Sequence, residues 1–115
     1  MDFDYINNAH DSSLLELKLI DGSLDNISLD DKFKLVRLAT NKIAHTGVLT
    51  ISAIDALEVS RGMYRGYLKL DEFNKLLRPS LCSANDIIEL LESLEFNILV
   101  VRINNYRYYI EASRP

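Results

Sequence analysis

The sequence predicts an α+β fold, a helical bundle closed by a C-terminal β-hairpin, and three observations carry that expectation. Apolar residues recur at helical spacing over 28–46 and again over 83–94. Two β-rich runs, 97–103 and 106–112, flank Asn104-Asn105, a pair that tolerates the positive φ of a tight two-residue turn. Between the helical stretches, Gly47, Gly62, Gly66 and Pro79 divide the chain into short strand-like or helical pieces.

Residues 1–27 read as an acidic linker or arm, because Asn7, Asn8, Ser12, Ser13, Gly22, Ser23 and Asn26 are turn and linker types. A short ordered piece, 14–20, lies inside it. Leu15, Leu17 and Leu19 alternate as in a strand, while Ser13 with Glu16 has capping-box spacing, so both types stay open. The domain proper spans 28–115. Ser28-Leu29-Asp30-Asp31 opens its first helix, with two acids in the positive first turn. Phe33, Leu35, Val36, Leu38, Ala39, Thr40 and Ile43 form its apolar stripe, and Gly47 is placed as its left-handed cap. Val48-Leu49-Thr50 is a short strand. Ser52-Ala53-Ile54-Asp55 starts a second helix that Gly62 and Gly66 bound, and a third covers about 70–78, where Pro79 stops it. The fourth opens at Ser83-Ala84-Asn85-Asp86 and shows Ile87, Ile88, Leu90, Leu91 and Leu94 on its apolar face. Helix, short strand, helix, helix, hairpin is the order of a winged helix.

Thirteen Lys and Arg against seventeen Asp and Glu give a net charge of −4. That balance disfavours a generic nucleic-acid or membrane-surface binder. It is unevenly spread: −7 over 1–31, +5 over 32–82, −4 over 83–95 and +2 over 96–115. Hydrophobic residues at 48% exclude intrinsic disorder, and no apolar run approaches the ~18 residues of a membrane span. Met1 precedes Asp2 and Asp4, the wrong charge for a secretory leader, and the single Cys82 cannot form an internal disulfide. A soluble intracellular protein is the expectation.

The segment Leu29-Asp30-Asp31-Lys32-Phe33-Lys34-Leu35-Val36-Arg37-Leu38-Ala39 resembles the first helix of the C-terminal winged-helix domain of origin-recognition and replication-licensing ATPases. The resemblance extends over 28–112, about three-quarters of the chain, in apolar pattern and element order. Gly47-Val48-Leu49-Thr50 would be the strand before a second helix, and 97–112 the wing. The acidic balance is most similar to the heterochromatin branch, the fungal silent information regulator paralogue of the largest origin-recognition subunit. The resemblance implies a nuclear homodimerisation module of a chromatin-silencing protein. No G-x-x-x-x-G-K-S/T stretch supplies an ATPase, so the chain would be the C-terminal part of such a protein. DNA-binding members carry Lys or Arg on the helix before the wing. Here Asp86, Glu89, Glu92 and Glu95 stand there, and DNA contact is expected to be weak or absent.

Catalysis has little support in the pattern. His10 falls in the arm and His45 at the end of the first helix, where a cation suits the dipole. Cys82 lacks partners at zinc spacing and reads as a buried small hydrophobe. No nucleophile elbow and no glycine-rich phosphate cradle occur. The expectation is a non-enzyme with no cofactor, metal or small-molecule ligand, whose partner is a second copy or another chromatin protein. Pairing across Asn104-Asn105 puts Leu99, Val101 and Ile103 on a core face and turns Ile98, Val100 and Tyr109 outward. With Met63, Tyr64 and Tyr67 these form the candidate interface, unless the acidic arm folds back over them. The alternative is DNA contact through Lys32, Lys34, Arg37, Arg61, Arg65 and Lys69, against the plainer reading of a solvated face.

Overall fold

The computed structural model describes residues 3–115; Met1 and Asp2, read above with the acidic start, lie outside them. The chain runs α1 (Phe3–Asn8), β1 (Leu14–Leu19), a 3₁₀ turn (Ser23–Asp25), α2 (Leu29–Lys42), β2 (Ile43–Ile54), α3 (Ala56–Tyr64), α4 (Leu70–Leu76), α5 (Ala84–Ser93), β3 (Asn97–Asn104) and β4 (Arg107–Ser113). The strands form one mixed sheet in the order β1-β2-β4-β3. β1 and β2 are parallel, while β2–β4 and β4–β3 are antiparallel. This overturns the winged-helix expectation. The sheet organises the core, and the C-terminal hairpin is part of it rather than a wing on a helical bundle.

The segment left open between strand and helix is β1. Leu17 and Leu19 are buried while Glu16 and Lys18 stay exposed, the period of two of a half-covered strand. β1 belongs to the acidic first block, and its pairing with β2 crosses the boundary placed at residue 27. α2 starts as expected, with the Ser28 hydroxyl oxygen accepting from the Asp31 N–H at 3.2 Å. It ends earlier than Gly47. The N–H groups of Ser12 and Ser13 donate to the carbonyls of Asn41 and Lys42 at 2.9 and 3.0 Å. The Lys42 ammonium pairs with Asp11 at 2.9 Å. The approach to β1 thus caps α2, and Ile43 passes directly into extended backbone.

Gly47 therefore caps no helix. It lies buried in β2, where a Cβ would meet the Leu14 carbonyl oxygen at 2.8 Å and the Ala44 carbonyl oxygen at 2.9 Å. Only a residue without a side chain lets β1 close on β2 there. His45, expected to cap the first helix, is an exposed residue of β2. The short strand 48–50 and the start of the expected second helix are one twelve-residue strand, and the helix begins at Asp55 instead. An apolar run buried along most of its length has no alternation to announce it as a strand.

The hairpin turns one residue later than expected. Asn105 and Tyr106 take φ of 53° and 65°, so Asn104 pairs with Arg107, Ile103 with Tyr108 and Val101 with Ile110. The register shifts between Ile98 and Val100, the mark of a bulge at Leu99. β4 lies inside the sheet, and Tyr108, Ile110 and Ala112 are fully buried. β3 is an edge, and its Leu99, Val101 and Ile103 are about half exposed, which corrects their assignment to the core. Ile98, expected to face outward, packs against the core. One cluster joins Ile6 of α1, Leu35, Val36 and Ala39 of α2, and Ile87 and Leu91 of α5 to alternate strand residues Leu17, Leu19, Leu49, Ile51 and Ile110. Each large aliphatic buried this way contributes about 1.5–3 kcal/mol. A smaller cluster of Ile54, Val59 and Leu68, with Phe73, Leu76 and Tyr106 against it, holds α3 and α4.

Candidate functional site at the carboxyl ends of the strands

β1, β2 and β3 point the same way, since β4 alone runs against its neighbours. Their carboxyl ends, at Leu19, Ile54 and Asn104, come to one edge of the sheet, where the loops after them meet. In open α/β sheets that edge is where ligands bind, because loops and helix termini there present unpaired backbone and polar side chains.

Two buried aspartates build this end. Asp25 accepts from the Ile54 N–H and from the Arg107 guanidinium, both at 3.0 Å, which ties the loop after β1 to the end of β2 and the start of β4. Asp55 caps α3 by accepting from the Glu58 N–H at 2.9 Å, and its other oxygen accepts from the Ala84 N–H at 2.7 Å. The Asp55 N–H donates to the Tyr106 carbonyl at 2.8 Å, which docks the hairpin turn. Every carboxylate oxygen of the pair is engaged, so these acids are architectural.

Behind them lies a buried group of Lys32, Cys82 and Tyr108. The Lys32 ammonium donates to the Ser80 carbonyl at 3.1 Å and sits 5.4 Å from the centre of the Tyr108 ring. The Ser80 hydroxyl in turn donates to the Leu24 carbonyl. The Tyr108 hydroxyl is buried with no nitrogen or oxygen partner among the described residues, and the Cys82 thiol is its polar neighbour. Burial pushes its proton affinity well above the usual tyrosine range, and burial also pushes the Cys82 thiol up, with Lys32 opposing.

In front of the turn, a cleft of about 340 Å³ opens between the end of α3 and the β3–β4 turn. Glu58, Arg61, Gly62, Arg65 and Tyr67 form one wall, and Ile103, Asn104, Asn105 and Tyr106 the other. That volume is within the range of small-molecule sites. A second hollow, about 460 Å³ and mostly apolar, lies between α2 and α3 beside Phe33, Leu57 and Cys82.

The residues singled out in the sequence are dispersed by this fold. Ile98 is in the core, while Val100 and Tyr109 lie on the uncovered sheet face, Tyr109 donating to Glu111 at 2.7 Å. Met63 and Tyr64 are exposed at the end of α3, and Tyr67 enters the cleft. Of the cations offered for DNA, Lys32 is buried, Lys34, Arg37 and Lys69 are exposed, and Arg61 and Arg65 line the cleft. Asp25, Asp55, Asn105, Tyr106 and Arg107 were missed as a group. Asp25 and Arg107 are 82 residues apart, and the Ser52–Asp55 capping signal and the Asn104-Asn105 turn signal hinted at two of the five. Among the described residues no group of three His, Cys, Asp or Glu could hold a metal, and no helix is long and apolar enough to cross a membrane.

No protein-family model and no curated protein matches the chain. Solved structures do. A SAM-dependent methyltransferase from Archaeoglobus fulgidus aligns with 99% of this chain and 66% of its own, at 13% identity and a TM-score of 0.64. Magnesium protoporphyrin IX methyltransferase from Synechocystis, solved with bound S-adenosylhomocysteine, aligns with 96% of this chain and 48% of its own, at 15% identity and a TM-score of 0.68. The 1,6-didemethyltoxoflavin-N1-methyltransferase of Burkholderia thailandensis, solved with 1,6-didemethyltoxoflavin and S-adenosylhomocysteine, aligns with 95% and 47%, at 11% identity and a TM-score of 0.62.

The fold is Rossmann-like, of the methyltransferase kind.

The chain spans between about half and two-thirds of these three neighbours' lengths. The likeness to origin-recognition winged helices is thereby overturned, and with it the reading as a silencing and homodimerisation module or as a DNA-binding winged helix. The expectation of a non-enzyme, drawn from the lack of catalytic motifs, is overturned as well, since these structural neighbours are methyltransferases. Apolar order along 28–112 was the whole basis of the resemblance, and such order also serves helices packed on a sheet.

The described residues do not make a cradle for S-adenosylmethionine. None of the four glycines falls in the G-x-G-x-x-G spacing that brings a backbone close to a nucleotide. Gly22, after β1, is a single left-handed residue, and every oxygen of the buried acids at this edge already accepts a hydrogen bond from within the chain.

Proposed function

We propose that this chain forms the acceptor-side part of a methyl-transferring enzyme, the part that shapes the pocket for the small molecule to be methylated. The carrying observation is the position of the cleft. It opens at the edge where β1, β2 and β3 end, in a sheet built like that of enzymes solved with S-adenosylhomocysteine. Tyr67 and Tyr106 offer aromatic surface there, suited to a planar ring system, and the acceptors named for two neighbours are magnesium protoporphyrin IX and 1,6-didemethyltoxoflavin. On this reading the methyl donor is held by residues other than those described.

Amide NMR with a panel of planar phenols and heteroaromatics tests this. A binding acceptor is expected to shift signals within 20–25, 55–67 and 103–107, whereas S-adenosylhomocysteine alone leaves this chain's spectrum unchanged. In the natural protein that carries this chain, tritium from methyl-labelled S-adenosylmethionine is expected in the acceptor that binds. Shifts confined to the uncovered sheet face or the Cys82 hollow, or no transfer to any acceptor, would overturn the reading.

A further inference from the structure

We infer that the cleft selects an anionic acceptor: a planar aromatic molecule bearing a carboxylate, held by Arg65 with Arg61 beside it. This rests on the proposed acceptor role and names its substrate class. Residues 61 and 65 are four apart, so both guanidinium groups leave the same face of α3 at its last turn. Arg61 is already engaged, with Glu58 at 2.9 Å. Arg65 makes no ion pair among the described residues. An arginine left without an acid in a concave site is a fork for a carboxylate, with two parallel charge-assisted hydrogen bonds.

The backbone here is shaped for the rest of such a ligand. Gly66 takes φ +77°, and the N–H groups of Tyr67 and Gly66 donate back to the carbonyls of Gly62 and Met63 at 2.9 and 3.2 Å. That Schellman closure folds Tyr67 back beside Gly62. Gly62 lets the Tyr106 ring approach α3 closely, since a Cβ would stand 2.8 Å from Tyr106 Cε1 and 2.9 Å from Leu68 Cδ1. The result is a cleft with two tyrosines for a ring, arginines at one end, and the Asn105 amide at the opposite wall. Glu58 also lines the cleft and is paired with Arg61, so Arg65 carries the unbalanced charge there.

The test titrates labelled protein with 4-hydroxycinnamate and with its methyl ester, which keeps the ring and loses the charge. The acid is expected to bind at least tenfold more tightly and to shift the Gly62, Arg65 and Asn105 amides. Arg65→Met, at an exposed position, is expected to keep the wild-type melting temperature and to lower acid affinity about tenfold while leaving the ester unchanged. Added salt weakens the acid alone. Equal binding of acid and ester, or an Arg65→Met protein that binds the acid as well as wild type, overturns the inference while leaving the acceptor role standing. If neither compound nor any member of the panel perturbs the strand-end loops, both fall together.

Discussion

The two faces of the sheet share a period of two and end in opposite chemistry. On one, Leu17, Leu19, Leu49, Ile51, Tyr108 and Ile110 are at most 3% exposed and pack with α2 and α5. On the other, Glu16, Lys18, Ser52, Arg102, Tyr109 and Glu111 stay accessible and satisfy one another. Lys18 pairs with Glu16 at 3.1 Å, the Tyr109 hydroxyl donates to Glu111 at 2.7 Å, and the Arg102 guanidinium lies 5.6 Å from the Tyr109 ring. Alternation supplies two sets of residues in each strand, and a one-residue slip would exchange them. The helices decide which set is core. Among the described residues the covered face carries a polar flaw, the Tyr108 hydroxyl with no nitrogen or oxygen partner, and the uncovered face has no such demand because water reaches it.

Adjacent residues of β4 should separate the faces most sharply. Ile110→Asp places an unpaired carboxylate in the fully buried centre of the sheet and should cost about 4 kcal/mol or more, enough to unfold a domain of ordinary stability. Glu111→Ala, one residue on and on the other face, should cost less than about 1 kcal/mol. Urea melts followed by circular dichroism measure both, and comparable losses would break the comparison.

Alkaline titration sharpens it next. Because burial raises the proton affinity of Tyr108, the folded chain keeps a proton that the unfolded chain releases near pH 10. Stability from this group is whole below about pH 10 and declines as pH rises beyond it. In Tyr108→Phe that decline should be shallower by up to about 1.4 kcal/mol per pH unit. At neutral pH the same variant should be about 1 kcal/mol more stable, since it removes a buried hydroxyl with no nitrogen or oxygen partner. An alkaline decline as steep in the variant as in wild type would place the hydroxyl in contact with water.

The smallest effect belongs to the edge. Val101 pairs with Ile110 and shares its face, yet it is 44% exposed. Val101→Asp should therefore cost under about 1 kcal/mol, where burial in the core would make it as damaging as Ile110→Asp. A loss of several kcal/mol would return Val101 to the core assigned from the sequence alone.

Local signals were legible wherever a residue's neighbours in sequence do the work. Ser28 and Ser83 cap helices because their hydroxyls reach N–H groups three residues on, and no distant residue is needed. Asn105 takes positive φ in the turn, and only Tyr106, an unlikely companion by type, hid the true register. The candidate site was legible in fragments: Arg61 and Arg65 as cations, Tyr67 as a surface aromatic. Their meeting with Asn105 and Tyr106 depends on a crossing of some forty residues that no periodicity records. For the same reason β1 stayed open between strand and helix, and only 48–50 of β2 read as strand. A strand gains its hydrogen bonds from a partner elsewhere in the chain, so Leu14–Leu19 inside an acidic block and Ile43–Ile54 behind a glycine become strands only when they pair. Spacing determined where α2 and α5 start and which residues are apolar. The tertiary structure decided that those helices cover a sheet, because strand pairing and burial are long-range and a helix's apolar stripe is the same whatever it packs against.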